Sequence, residues 1–241
     1  MNQAISIQNV NKSFGKKNVL KDIKFEIMEG KIYGFIGPSG AGKTTLIKMI
    51  VGMDIPDTGS IYLLGEKMPN LNVLQQIGYM AQSDALYKEL TGKENLMFFA
   101  SLYQLNKKER KNRIEYAAKL VNLTADLNKK VSAYSGGMRR RLSLAIALIQ
   151  NPKILILDEP TVGIDPELKL SIWNELLRLK NEEGKTIIVT THVMDEADKC
   201  DVISMVREGS LIATGTPEQL KEKYSAQSLD EVFLAAGRKD Q

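Results

Sequence analysis

Gly37-Pro38-Ser39-Gly40-Ala41-Gly42-Lys43-Thr44 is a glycine, four residues and then Gly-Lys-Thr, the spacing of a phosphate-binding P-loop. Its flanks suit that reading. Residues 31–36 (KIYGFI) form a short apolar run that predicts a buried strand, and residues 45–51 (TLIKMIV) continue with an apolar helical pattern. The glycines let successive backbone N–H groups turn into one concavity, and the new helix adds its positive dipole end, so the stretch is suited to a polyphosphate. In that arrangement Lys43 reaches the terminal phosphates and Thr44 holds a magnesium ion.

Working outward, other residues with chemistry also follow predicted strands. Residues 153–158 (KILILD) end in Asp158-Glu159-Pro160, the Walker B form. A carboxylate at that strand end can hold magnesium, and the next, Glu159, is suited to deprotonate an attacking water. Residues 186–191 (TIIVTT) run into His192, the one histidine of the chain. By residue type it is more often a hydrogen-bonded structural residue than a catalyst, but its place at a strand end favours a catalytic role. Residues 77–80 end at Ala81-Gln82, where Gln82 is placed to sense a phosphate or the metal. Strands alternating with helices predict a parallel sheet covered on both faces, with ligands beyond the carboxyl ends of the strands. The P-loop, Asp158-Glu159 and His192 are therefore expected to converge on one edge.

The amino-terminal part differs. Residues 4–28 alternate apolar and polar, with Ile5, Ile7, Leu20, Ile23, Phe25 and Ile27 on the apolar face, which predicts antiparallel strands. Phe14 lies in the turn between them and by residue type reads first as a strand-end core residue, since most aromatics fill core, and second as a ring that stacks on a base. Residues 83–150 read as mostly helical, with a capping box at Thr91 to Glu94 and a cap at Asn106 before a solvated charge run, Lys107 to Lys111. Ser135-Gly136-Gly137 opens one of these helices, with Ser135 as N-cap and an end open to a close anion. Arg139-Arg140-Arg141 reads as a solvated face. Asp165-Pro166 starts a helix to about Asn181, and a second capping box is expected at Ser228 to Glu231.

Composition bounds the rest. The chain has 241 residues, 33 basic against 29 acidic, and a formal charge of +4, too small an excess to argue for nucleic acid. The amino terminus lacks a signal-peptide core, no apolar run is long enough to cross a bilayer, and a single cysteine excludes an internal disulfide. The expectation is a cytosolic protein that acts at a membrane only through other chains.

Residues 37–45, Gln82, Tyr134-Ser135-Gly136-Gly137-Met138, residues 154–160, Gly163-Ile164-Asp165 and Thr191-His192, taken in this order, resemble the ATP-binding subunit of ABC transporters over nearly the whole chain. The specific part is the signature Ser-Gly-Gly in a helical insert upstream of Walker B. The resemblance implies one domain with a P-loop NTPase core (1–82 and 151–220), a mostly parallel sheet, an N-terminal antiparallel β patch, an inserted α-helical subdomain (83–150) and a short helical tail (221–241). It implies ATP and Mg2+ as cofactors, with Thr44, Gln82 and Asp158 toward the metal. Gly37, Pro38, Ser39, Gly40, Ala41, Gly42, Lys43, Thr44 and Thr45 would bind the nucleotide, and Phe14 would stack on adenine. Glu159, His192 and Gln82 would serve hydrolysis, with Asp165 in the D-loop. Ser135, Gly136 and Gly137 would reach ATP held by a second copy in a head-to-tail dimer, beside a multi-span permease, at the cytoplasmic face of the membrane and without nucleic acid.

Three departures from the family pattern keep size or apolar character: Met138 for glutamine, Ile164 for leucine and Phe14 for tyrosine. The bacterial branch exporting drugs, antibiotics or lipids is the most similar. The alternative is a non-transport ABC ATPase acting on nucleic acid or ribosomes, whose coiled-coil insertion or second cassette is not visible in this sequence.

Overall fold

A computed structural model describes residues 2–82, 85–103 and 105–237. The expected subdomain boundary at Ser83 and the end of the expected tail, 238–241, lie outside them. The chain divides into two compact units, Met1–Leu74 with Thr186–Gln241, and Gln75–Lys185.

The first unit opens with β1 (Gln3–Phe14), β2 (Lys17–Met28), β3 (Ile32–Ile36), α1 (Lys43–Ile50), β4 (Thr58–Leu63), β5 (Glu66–Lys67) and the one-turn α2 (Leu71–Leu74). β1 pairs antiparallel with β2 on one side and β4 on the other, as the alternation of residues 4–28 predicts. The register shifts where Asn9 and Asp22 take left-handed φ of 49° and 47°, and Asn9 Nδ2 donates to Asp22 Oδ1 at 2.8 Å across the irregularity. Such bulges re-aim a strand without breaking its pairing.

The second unit contains β6 (Ile77–Met80), α3 (Gly92–Ser101), α4 (Lys107–Leu120), α5 (Gly136–Leu148), β7 (Ile154–Asp158) and α6 (Pro166–Glu183). β6 and β7 are parallel, with Met80 opposite Leu157, so the segments starting at Ala81 and Asp158 leave the pair at the same end. Thr91 with Glu94, and Asn106 with Glu109, form complete capping boxes. Two arginines close helix ends reciprocally. Arg113 of α4 donates to the carbonyls of Leu148 and Ile149 at the end of α5, at 2.5 and 3.0 Å. Arg141 of α5 donates to those of Val121 and Asn122 at the end of α4, at 3.3 and 2.9 Å. α6 is capped by Asp165, carries Pro166 in its first turn and stops at Gly184, whose φ of 63° suits glycine.

The chain then returns to the first unit with β8 (Thr186–Thr191), the short α7 (Met194–Ala197), β9 (Val202–Arg207), β10 (Ser210–Gly215), α8 (Pro217–Lys223) and α9 (Leu229–Ala236). β3 lies between β8 and β9, parallel to both, and β10 runs antiparallel to β9. Every residue of β3 and β8 is buried, threonines of β8 included, the unbroken burial of parallel strands covered on both faces. Ile36, Ile203, Met205, Leu220, Leu229 and Val232 share one core cluster that fixes α8 and α9. At α9 the expected capping box is half formed. Ser228 Oγ accepts from Glu231 N at 3.3 Å, but the Glu231 carboxylate accepts from Gln227 N at 2.7 Å, one residue before the cap.

Candidate functional site

The P-loop links β3 to α1 and is held by close backbone approach. A side chain at Gly37 would collide with the Val206 carbonyl, and one at Gly42 would stand 2.7 Å from Leu20 Cδ2 and 2.8 Å from the Val19 carbonyl. Gly42, with a left-handed φ of 108°, is the N-cap of α1, and no side chain caps that helix. Its first turn is thus built for an outside acceptor. Pro38, Ser39 and Gly40 are exposed, Ala41 and Lys43 buried, and Thr44 and Thr45 half-buried. Lys43 folds back over the loop, its Nζ donating to the carbonyls of Gly37 at 2.6 Å and Pro38 at 3.1 Å. Ile36 of β3 pairs with Thr191 of β8, so the P-loop and His192 leave neighbouring strands at the same end. Thr191 Oγ1 donates to buried Glu196 Oε2 at 2.8 Å and accepts from Val193 N at 3.0 Å. These bonds shape the turn that carries exposed His192.

Phe14 is not a core residue. Its ring is 53% exposed at the end of β1, with the Lys12 ammonium 5.3 Å from the ring centre. That ammonium is itself anchored, 2.8 Å from Asp54 Oδ1 and 2.6 Å from the Ile55 carbonyl. The hydrogen bond to Asp54 raises the Lys12 pKa above its ordinary value.

In the second unit the ends of β6 and β7 bring Gln82, Asp158 and Glu159 together. Asp158 is buried and Glu159 half-buried, and Gln82 Nε2 lies 3.4 Å from Glu159 Oε2. Glu159 takes a left-handed φ of 53°, a conformation that costs a non-glycine residue about 1–3 kcal/mol and is concentrated at working sites. Burial pushes the phenol of nearby Tyr79 up to about 12, with the Asp158 charge adding to the effect.

Among the three consecutive arginines the sequence reading misses one. Arg140 is buried, and its guanidinium donates to the carbonyls of Ala81, Gln82, Asp158 and Glu159. Helical periodicity from Leu142, Ala145 and Leu148 marks the buried face of α5, but three adjacent arginines give no sign of which one turns toward β6 and β7. Ser135 caps α5 by accepting from Met138 N at 3.2 Å, and Ser135 and Gly136 are exposed. Nothing stands within 4 Å of where a Gly136 side chain would be. Asp165 Oδ1 accepts from Leu168 N at 3.0 Å as the cap of α6.

The residues expected at a metal, Thr44, Gln82 and Asp158, offer a hydroxyl, an amide oxygen and a carboxylate, the oxygen donors that magnesium takes with phosphate and water. Among the described residues no group of three or more His, Cys, Asp or Glu is placed to hold a metal by itself.

Compared with known proteins, residues 20–162 match the family model described as ABC transporter. The Nod factor export ATP-binding protein I of Rhizobium sp. (strain N33) is 40% identical over 233 residues, covering 95% of this chain and 76% of that protein. The chain belongs to the ABC transporter family. The linearmycin resistance ATP-binding protein LnrL of Bacillus subtilis (strain 168) is 38% identical over 97% of the chain and 78% of its own length. ABC transporter G family member 20 of Dictyostelium discoideum is 39% identical over 98% of the chain, which spans 33% of that longer protein. A solved ATP-binding subunit of an ABC transporter superposes with a TM-score of 0.90 at 27% identity, over 97% of this chain and 99% of that one. A dimeric ATP-binding cassette in a post-hydrolysis state with ADP and Pi gives 0.82 at 29% identity, over 88% and 98%. The fold is therefore that of an ABC ATP-binding domain, as the resemblance implied, and the nucleotide is ATP. No described helix is long and apolar enough to cross a membrane.

Proposed function

We propose that this ABC ATPase powers export through a separate multi-span membrane subunit, working at the cytoplasmic face as a head-to-tail pair, with Glu159 as the general base of hydrolysis. The supporting observation is the placement of Glu159. It is half-buried and left-handed, directly follows a buried aspartate, and lies within reach of Gln82. The Nod factor export and linearmycin resistance relatives support the direction, and the dimeric cassette supports the pairing.

In this reading the single ABC domain uses the P-loop backbone to cap the phosphates, and the Lys43 ammonium exchanges the Gly37 and Pro38 carbonyls for phosphate oxygens. Phe14 offers its exposed ring to the adenine. Gln82 orients water for Glu159, which takes its proton, and His192 faces the transferred phosphoryl group. Thr44, Asp158 and Gln82 would hold Mg2+, which would neutralise the negative charge of the phosphates. Ser135, Gly136 and Gly137 would meet nucleotide held by the second copy, with Asp165 in the D-loop.

Turnover of the purified full chain tests the central role. Glu159→Gln is expected to bind ATP and lose about 10²- to 10⁴-fold in rate, the contribution of a positioned base. Parental turnover in that variant would remove Glu159 from the mechanism.

A further inference from the structure

One side chain ties α5 to the ends of both β6 and β7. Arg140 is 8% exposed, and its Nη1 donates to the carbonyls of Ala81 at 2.9 Å and Gln82 at 2.8 Å. Its Nη2 donates to the carbonyls of Asp158 and of Glu159, the latter at 2.5 Å. Each terminal nitrogen of the planar fork thus serves one loop, so the spacing between the loops is set by a rigid group.

The second pair of bonds is informative. Successive carbonyls of a strand point to opposite sides, so two of them reach one nitrogen only where the chain leaves the strand conformation. Glu159, at φ 53°, is where it does so. The guanidinium therefore supports the same left-handed turn that aims the Glu159 side chain toward Gln82. Arg140 also lies on α5, whose exposed end is Ser135, five residues earlier.

We infer that Arg140 is a positioning residue for hydrolysis, holding Glu159 and Gln82 in register and making that register depend on where the signature end of α5 stands. This role rests on the reading of Glu159 as general base. It requires a fork of fixed shape and positive charge, which lysine supplies only in part and glutamine does not supply.

The experiment compares Arg140→Gln, Arg140→Lys and Glu159→Gln in the full chain by ATP turnover, fluorescent-nucleotide affinity and thermal melting. Arg140→Gln is expected to lower kcat by about 10²-fold, the loss that follows displacement of a reacting group by about an ångström, with nucleotide affinity kept. Arg140→Lys is expected to fall between it and the parent, at about a tenfold loss, because the charge returns without the fork. Should Arg140→Gln not fold, the lysine variant carries the same kcat readout.

Parental kcat per folded molecule in the arginine variants would overturn the assignment. So would a loss of nucleotide affinity equal to the loss of turnover, since a purely structural role moves both with the folded fraction. The glutamate variant separates the two readings. If Glu159→Gln turned over as the parent does, the base assignment would fail. If Glu159→Gln were inactive while Arg140→Gln kept parental kcat, only the positioning role would fail.

Discussion

The N-terminal ends of α1 and α5 read alike in the sequence, each a small-residue turn opening a helix, yet they are built in opposite ways. At α1 no side chain caps the helix, the turn uses a glycine at φ 108°, and Gly37 and Gly42 are pressed against backbone carbonyls of their own unit. At α5 Ser135 already caps the helix, and Gly136 faces open space. The first end needs an anion to complete it and is shaped from behind by the protein. The second already has one of its N–H groups met by Ser135, and open space at Gly136 leaves room there for a group from outside the chain. A helix terminus attracts anions by its dipole in both cases, but the packing behind it decides whose anion it meets.

The strongest way to break this contrast is Gly42→Ala. A β-carbon there would sit at a strained φ and against Leu20 and the Val19 carbonyl, so a stability loss of about 2–4 kcal/mol is expected, with loss of nucleotide binding. Thermal melting and nucleotide titration read both, and a variant that melted and bound as the parent does would show that the loop is not shaped by its backing.

Ser135→Ala should cost about 1 kcal/mol through the lost cap. Nucleotide affinity of the single chain should stay unchanged while turnover in the assembled pair falls. An equal fall in the affinity of the dilute, unpaired chain would place Ser135 in its own P-loop's site instead.

Smallest in stability is Gly136→Ala, expected to melt within about 0.5 kcal/mol of the parent because nothing opposes the added carbon. Its turnover should still drop, since the carbon would stand between the helix end and an arriving phosphate. Undiminished turnover would mean that no anion comes close to α5.

The elements built from local signals were legible in the sequence. The P-loop's glycine spacing, the alternation of Ile5 and Ile7 with Leu20 and Ile23, and the caps at Thr91, Asn106 and Asp165 all depend on residues near one another in the chain, and each stands where expected. Gln82, Asp158 and Glu159 were also readable as strand-end residues, because a parallel sheet presents its strand ends together. What escaped depends on tertiary direction. Arg139, Arg140 and Arg141 are chemically identical neighbours, and only the turn of α5 against β6 and β7 sends the middle one inward. Phe14 left its alternatives open for the same reason, since a ring at a strand end is core or surface according to what packs over it. At Ser228 the return bond slipped to Gln227 because the extended chain before the cap offers more than one N–H to the Glu231 carboxylate.

The crossed arginines of α4 and α5 carry a consequence of their own. The last carbonyls of a helix have no partner inside it, and here each helix borrows its closure from the flank of the other, through Arg113 and Arg141. Fraying at either carboxyl end would therefore give up hydrogen bonds that the other helix supplies, so the two ends share part of their stability.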